Sequence, residues 1–415
     1  MKPKLIATIM GLAAISASAS ATISDVIVRQ QWPWNGKVNI DYVLTDPEDG
    51  EHDITVVMSN GTQVVTNEYG SLSGDLFGVK PGARRIVWNP MHNNPTYAEK
   101  VLASFSVTLS TSDDSSGQYM VLDLSGGAGE SIPVEFVSAP PAGGWNQNIY
   151  KTTKLVLRRI PAGTFRMGSP EGELGRNANR ETQHTVLFTN DFYIGMFEMT
   201  HAQYSNIVHT AVEYSAGTSG STYPVNFVTL DGLRGSNADS SVYPAFQADS
   251  FIGRLNSKFS FTGDYADYTF DLPTLSQWEY ACRAGTAGAW NDGTTITNTT
   301  TDAQLGGLAW YRGNTYFNPY AVGGKKPNAF GLYDMHGNVA EICIDRVPNS
   351  VWWSDATLVE PIHAYVASPW GVVNKGGGAD YTADICRSAS AYVGNNSKTI
   401  GFRIVFVPRH DPGVL

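Results

Sequence analysis

From residue 22 to about residue 138, apolar and polar positions alternate with the period of two that a half-buried β-strand requires. Val38, Ile40 and Tyr42 share one face, as do Ile54 and Val56. Ile86 with Trp88, then Phe105, Val107 and Leu109, repeat the pattern. Turn clusters separate these runs at Pro47-Glu-Asp-Gly50, Asn60-Gly61, Gly70 to Gly78 and Pro81-Gly82. Short alternating runs with closely spaced turns predict a small antiparallel sandwich of immunoglobulin or fibronectin type. A polar stretch, Ser110 to Gln118, interrupts the pattern, and Tyr119 to Leu124 reads as one more strand of the same module. The module is therefore expected to span residues 22–138. A linker containing Ala139-Pro-Pro-Ala-Gly-Gly144 follows over 139–154.

Beyond Leu155 the pattern changes. One helix stands out: Thr274 precedes Gln277 by three positions, the spacing of a capping box, directly after Pro273. Trp278, Ala281 and Cys282 then fall at i, i+3 and i+4, and Gly285 sits where a helix-ending glycine is expected. Trp278 is read as a packing residue and Glu279 as a paired or surface carboxylate. A second helix is expected from Leu230 to Leu233, running on through 245–257 with Phe246, Phe251 and Leu255 on one face. Short strands, aromatics and glycines fill the remainder.

The whole chain has 415 residues, long enough for two or three cores. Only 16% are charged, against 42 Gly, 20 Tyr, 17 Phe and 10 Trp, a balance that favours loop-rich, aromatic-packed architecture. A net charge of -10 and the absence of a basic run exclude a nucleic-acid footprint. Lys2 and Lys4, the apolar run Leu5 to Ile15 and Ala19-Ser20-Ala21 read as a signal peptide over residues 1–21. The expected destination is periplasm, cell surface or medium. No transmembrane segment is expected, since no later stretch offers about 18 uninterrupted apolar residues. Cys282, Cys343 and Cys386 allow at most one disulfide and read as buried thiols.

Several segments carry a resemblance. They are Ile160-Pro-Ala-Gly-Thr-Phe-Arg-Met-Gly168, Phe192-Tyr-Ile-Gly-Met-Phe-Glu-Met-Thr200, Leu272-Pro-Thr-Leu-Ser-Gln-Trp-Glu-Tyr-Ala281, Asn328-Ala-Phe-Gly-Leu-Tyr-Asp-Met-His-Gly-Asn-Val-Ala-Glu341, Lys375-Gly-Gly-Gly378 and Ile400-Gly-Phe-Arg403. Together they resemble the formylglycine-generating-enzyme, or sulfatase-modifying factor, family across most of residues 155–408. The resemblance implies an α+β fold: an irregular, C-type-lectin-like domain preceded by the all-β sandwich.

It also implies a chemistry that this chain departs from. The founding enzymes bind Cu(I) through two cysteines five residues apart and oxidise a sulfatase cysteine. Soft thiolates suit Cu(I). Counting from Gly376, the first position is Tyr381 and the second Cys386; aligning on Arg387-Ser-Ala389 places Cys386 just outside the site. One thiol remains on either count, so copper is not expected. The iron branch of the family uses a histidine cluster. Histidines 52, 92, 184, 201, 209, 336, 363 and 410 show no His-x-x-x-His or His-x-Asp spacing, and His184 and His336 are expected to be satisfied locally. The resemblance places a structural calcium on Asp334, the carbonyls of Gly337 and Val339, and Glu341, and oxygen donors suit that cation. The alternative is a metal-free turn with Asn338 bonding its own backbone.

Three functions stay open. One is a binding protein that engages a glycan or protein ligand through Asp380, Tyr381, Asp384, Arg387, Tyr392, Asn395 and Asn396. Loops of such composition combine aromatic area with adaptable hydrogen bonding. Residues 379–398 also resemble the variable region of retroelement-diversified proteins with a lectin-like fold. Another is an oxidoreductase of the family type, with Cys386 as its catalytic candidate beside Tyr381, Asp384 and Arg387. The last is an envelope structural protein that docks through its β module.

Overall fold

The computed structural model describes residues 21–31, 36–47, 49–59, 64–66, 71–90, 105–111, 117–126, 130–210, 220–235, 246–345, 358–359, 372–394 and 398–409. The signal-peptide residues 1–20 and the Asn60-Gly61 turn lie outside them. The chain divides into two compact units, residues 1–118 with 163–165, and residues 119–162 with 166–415.

In the first unit the alternation produces the strands it predicts. Strand Val38–Thr45 buries Val38, Ile40, Tyr42 and Leu44, and strand Ile54–Ser59 buries Ile54, Val56 and Met58. Two antiparallel sheets result. Four strands run in the order Thr22–Gln30, Val38–Thr45, Gly82–Trp88, Leu72–Gly74, and three in the order Val64–Thr66, Ile54–Ser59, Ser106–Thr111. Trp88 of the first sheet meets Phe105, at the entry to a strand of the second, with ring centroids 5.3 Å apart.

The second unit begins earlier than the expected boundary at residue 138. Strand Tyr119–Asp123 pairs antiparallel with Lys154–Ile160 on one side and Val134–Val137 on the other. These strands complete a six-stranded sheet, in the order Tyr268–Asp271, Val405–Pro408, Phe192–Gly195, Lys154–Ile160, Tyr119–Asp123, Val134–Val137. Alternation reports a strand but not the sheet it joins, and Tyr119–Asp123 joins the sheet of the second unit. Nor is 139–154 a free tether. Trp145 is buried with its ring 4.9 Å from Tyr119, and the Lys151 carbonyl accepts from Thr200 Oγ1 at 2.7 Å.

Helix Leu275–Arg283 forms as its capping box predicts, with Thr274 accepting from the Gln277 amide and Gln277 accepting from the Thr274 amide. Every one of its residues is buried. The left-handed ending residue is Ala284, at φ 44°, with Gly285 following at 88°. The second expected helix is two short ones, Leu230–Arg234 and Phe251–Asn256. Ser250 opens the latter by accepting from the Gly253 amide, so a fresh cap stands where continuity was expected. Both pack under the six-stranded sheet, where Phe251, Leu255, Phe270, Phe402 and Phe406 share one core. Among the described residues no helix is long and apolar enough to cross a membrane.

A smaller sheet carries the segments of interest, in the order Ala391–Val393, Val373–Lys375, Ala340–Ile342, Ile400–Gly401. Strand Val373–Lys375 runs into Gly376–Gly378, and the 379–390 loop leaves from there.

Candidate functional site

Beneath the 379–398 loops lies a floor of buried charge. Glu279 Oε1 accepts from the Gly168 amide and Arg283 Nε, each at 2.9 Å, and its Oε2 accepts from Lys375 Nζ at 2.9 Å. Lys375 Nζ also donates to the Ser388 carbonyl at 2.8 Å. Burial alone would raise the Glu279 carboxyl; Lys375 and Arg283 more than offset it and hold the group below its ordinary range. The Glu279 reading from sequence is thus met by internal pairing.

Arg387, expected in the ligand set, belongs to this floor instead. It is 1% exposed and donates to Glu173 at 2.6 Å, to both Glu181 oxygens at 2.8 and 2.9 Å, and to the Gly175 and Asp384 carbonyls. A guanidinium with its fork filled by two carboxylates and two carbonyls has nothing left for a ligand. Its carboxylate partners lie more than 200 positions away in sequence (206 and 214), beyond what neighbouring residues can report.

The remaining candidates sit higher. Asp380, Tyr381, Asp384 and Tyr392 are each partly exposed, and the Tyr381 and Tyr392 ring centroids are 4.7 Å apart. Asp384 sits in the 3-10 turn Ala383–Cys386 and accepts from Thr382 Oγ1 at 2.6 Å. Asp380 Oδ1 is shielded from bulk solvent and has no hydrogen-bond partner among the described residues. Asn395 and Asn396 lie outside the described residues.

All three cysteines are free and buried. Burial pushes the Cys386 thiol well above its ordinary range, and nearby Asp384 and Asp380 push the same way. Burial pushes Cys282 up to about 12 and also raises Cys343 well above its ordinary range. A Cβ on Gly377, whose φ is 68°, would meet Cys386 Sγ at 2.5 Å. His336 pairs its Nδ1 with the Cys386 carbonyl at 2.8 Å and accepts the Asn291 amide on Nε2 at 3.0 Å. This arrangement fixes the neutral ring, and burial lowers its pKa to about 4. His184 Nδ1 lies 2.8 Å from the Thr182 carbonyl. His336 is thus paired at both ring nitrogens, whereas His184 is paired at Nδ1.

The 334–341 turn holds a second polar cluster. Asp334 and Asn338 adopt left-handed backbone at φ 61° and 71°. Asn338 does not bond its own backbone: its amide group donates to Glu198 at 2.6 Å and to the Tyr320 carbonyl, and its Oδ1 accepts the Tyr320 amide. Glu198 also takes the Val339 amide at 2.8 Å. Burial raises the Glu198 carboxyl well above its usual range, with Asp334 and Glu341 adding to the effect. Sequence reading missed Glu198, although it sits inside the 192–200 motif.

Glu341 faces Arg403 in a two-pronged pair, 2.6 Å at each prong, and also accepts Trp278 Nε1 at 2.6 Å. Both of its oxygens are thereby engaged, which makes it the poorest fit of the four expected calcium ligands. Asp334 fits better: Oδ2 accepts the Gly323 amide at 2.7 Å, while the buried Oδ1 has no partner among the described residues. Burial raises its carboxyl to about 6. No group of three His, Cys, Asp or Glu side chains converges on one point among the described residues.

Comparison with known proteins places this architecture. A family model for a sulfatase-modifying factor enzyme 1-like domain matches residues 147–407. The chain belongs to the sulfatase-modifying factor family. It is 26% identical over 196 residues to the chaperone protein LppX of Paenibacillus barcinonensis, covering 39% of this chain and 67% of that one. It is 26% identical over 241 residues to the formylglycine-generating enzyme of Streptomyces coelicolor, covering 49% and 72%. Solved structures include Treponema denticola variable protein 1 (TM-score 0.46, 24% identity, 61% of this chain and 95% of that one). Another is PvdO from Pseudomonas aeruginosa (TM-score 0.47, 21% identity, 60% and 94%). Within the family match, the Glu279–Lys375 and Arg403–Glu341 pairs join motif segments far apart in sequence, and Arg387–Glu181 joins positions 206 apart.

Removing one partner of a buried pair leaves a bare charge in the core. Arg387→Met is therefore expected to cost about 3–5 kcal/mol in urea unfolding, while Tyr381→Ala, at a half-exposed ring, costs about 1 kcal/mol. An unchanged unfolding midpoint for Arg387→Met would return this residue to the ligand candidates.

Proposed function

We propose that this sulfatase-modifying-factor family member is an exported binding protein that has given up the copper chemistry and holds a glycan or protein ligand on its C-terminal loops. The observation that carries the reading is the layering at 379–392: Asp380, Tyr381, Asp384 and Tyr392 stand partly exposed above a charge-paired floor of Arg387, Lys375 and Glu279. A rigid floor presents a surface without the entropy cost of ordering it on binding, and Asp380 Oδ1, shielded from bulk solvent, has no donor among the described residues. Export is inferred from Lys2, Lys4, the apolar run and Ala19-Ser20-Ala21. One relative is a chaperone by name, which accords with binding as the task.

The loss of copper chemistry is inferred from the thiols. Tyr381 occupies one counted position, and the Cys386 thiol is buried and biased against the thiolate that a metal needs. A structural calcium is proposed at Asp334 with the Gly337 and Val339 carbonyls. Its support is the open Asp334 oxygen and the crowding of Asp334, Glu198 and Glu341 around Arg403.

Arrays of glycans and of surface proteins, probed with the full chain, should reveal a ligand whose signal drops roughly tenfold (about 1.4 kcal/mol) in Tyr381→Ala and Tyr392→Ala. Folded variants that bind like the parent would move the site off these loops. Titration with Cu(I) against a competing chelator should show no stoichiometric uptake by the parent or by Cys386→Ser; one tightly held copper lost in the variant would restore the oxidase.

Calcium makes a separate prediction. Because the folded Asp334 carboxyl is raised from 3.8 to about 6, its contribution to stability is complete below about pH 3.8 and is lost as pH rises through about 6. Calcium-free protein should lose roughly 2–3 kcal/mol of stability across that window. Asp334→Asn should flatten this part of the profile, and calcium at neutral pH should restore the parent's melting temperature but not the variant's. A melting temperature indifferent to calcium would remove the cation from the structure.

A further inference from the structure

Beside the C-terminal loops, three large apolar side chains stand in solvent: Phe227 at 50% exposure, Tyr316 at 86% and Phe317 at 45%. Phe227 and Phe317 both hold left-handed backbone, at φ 56° and 62°. A bulky side chain enters that region only where its surroundings force it, and such outliers collect at functional surfaces. Here the surroundings are a set of ties to the 379–398 edge. Asn226 Nδ2 donates to the Lys398 carbonyl at 2.9 Å, and Lys398 Nζ donates to Asn318 Oδ1 at 3.3 Å. Thr315 Oγ1 donates to the Ala379 carbonyl, and the Arg312 amide donates to the Tyr381 carbonyl at 3.0 Å. The Val322 amide donates to the Thr222 carbonyl at 3.0 Å and joins the two aromatic loops to each other.

One segment of this face runs against the charge of the protein, while the adjoining edge carries Asp380 and Asp384. The chain has a net charge of -10, yet residues 303–333 contain no Asp or Glu while carrying Arg312, Lys325 and Lys326. Lys325 is used internally, 3.9 Å from the Trp310 ring centroid and bonded to the Gly306 carbonyl at 2.7 Å. Arg312 lies 5.3 Å from the Phe317 ring centroid. Among the described residues Arg312, Lys326 and Lys398 form no ion pair.

We infer that this face binds an acidic polysaccharide, with Tyr316 and Phe317 stacking on the C–H faces of its sugar rings and Arg312 and Lys398 meeting its acid groups. The inference rests on the proposed ligand surface at the C-terminal loops and names its ligand class. Sugar rings present apolar C–H faces and polar edges, which match single exposed rings interspersed with the Asn226 and Asn318 amides. A protein partner would call for roughly 800 Å² of contiguous packed surface on each side, and neutral sugars would leave the unpaired cations without a role.

The test is affinity electrophoresis of the full chain at near-physiological salt, through gels holding dextran sulfate, polygalacturonate or neutral dextran. Sedimentation with phosphatidylglycerol vesicles runs alongside. Retardation by one or both polyanions and not by dextran is expected, and which polyanion acts distinguishes sulfate from carboxylate recognition. Tyr316→Ala and Phe317→Gly should each weaken binding by about fivefold or more; glycine suits the left-handed φ, so the second variant keeps the fold. Arg312→Gln with Lys398→Gln should flatten the salt dependence. Absence of polyanion binding, binding unchanged in Tyr316→Ala and Phe317→Gly, or binding to vesicles alone would overturn the inference. Loss in Tyr316→Ala with Tyr381→Ala unaffected keeps it and removes the C-terminal-loop reading. A neutral glycan lost in Tyr381→Ala but not in Tyr316→Ala does the reverse.

Discussion

The second unit depends on ions that have no access to water. Arg403 with Glu341, Arg387 with Glu181 and Glu173, and Lys375 with Glu279 are all buried. Taking such charges out of water costs several kcal/mol each, and only near-ideal geometry recovers that cost. Each pair therefore acts less as a source of net stability than as a condition on the fold: the distant segments that carry the partners have to arrive together or not at all. In a domain with short strands and short helices, that condition supplies the register that long regular elements would otherwise provide.

The same condition explains why the loops can be informative about function. Residues 388–390 are buried and the Arg387 side chain is enclosed, whereas 380–382, 384–385 and 391–394 are half-exposed. The chain thus alternates anchored and open positions within a few residues. A surface of this type is rigid where it is held and free to differ in chemistry where it is not. The exposed rings at 316 and 317 extend that surface on a neighbouring loop without taking part in the buried floor.

Much of this was legible from sequence, for identifiable reasons. The capping box at Thr274 and Gln277 is a local interaction, so four consecutive residues suffice to read it. Strand alternation at Val38, Ile40 and Tyr42 is equally local. What could not be read was partnership at a distance. Arg387 looked like a surface residue among Asp and Ser neighbours, yet its carboxylates come from residues 173 and 181. Tyr119 to Leu124 looked like the end of the first module because a strand's pattern is silent about its sheet. Asn338 reads as a turn-former that bonds locally, and only the folded chain brings Glu198 and Tyr320 to its amide. Phe227 and Phe317 carry no sequence mark of their left-handed backbone, since glycine or asparagine would be the usual occupant.

The contact between Gly377 and the Cys386 sulfur bears on how such a chain can change over time. With 2.5 Å between a would-be Cβ and Sγ, the two positions share one parcel of volume. A lineage that gained a side chain at 377 would have to shed bulk at 386, and one that kept the glycine could retain a sulfur there with no chemistry to preserve it. On that account the volume of the sulfur, rather than its reactivity, is what the glycine at 377 accommodates.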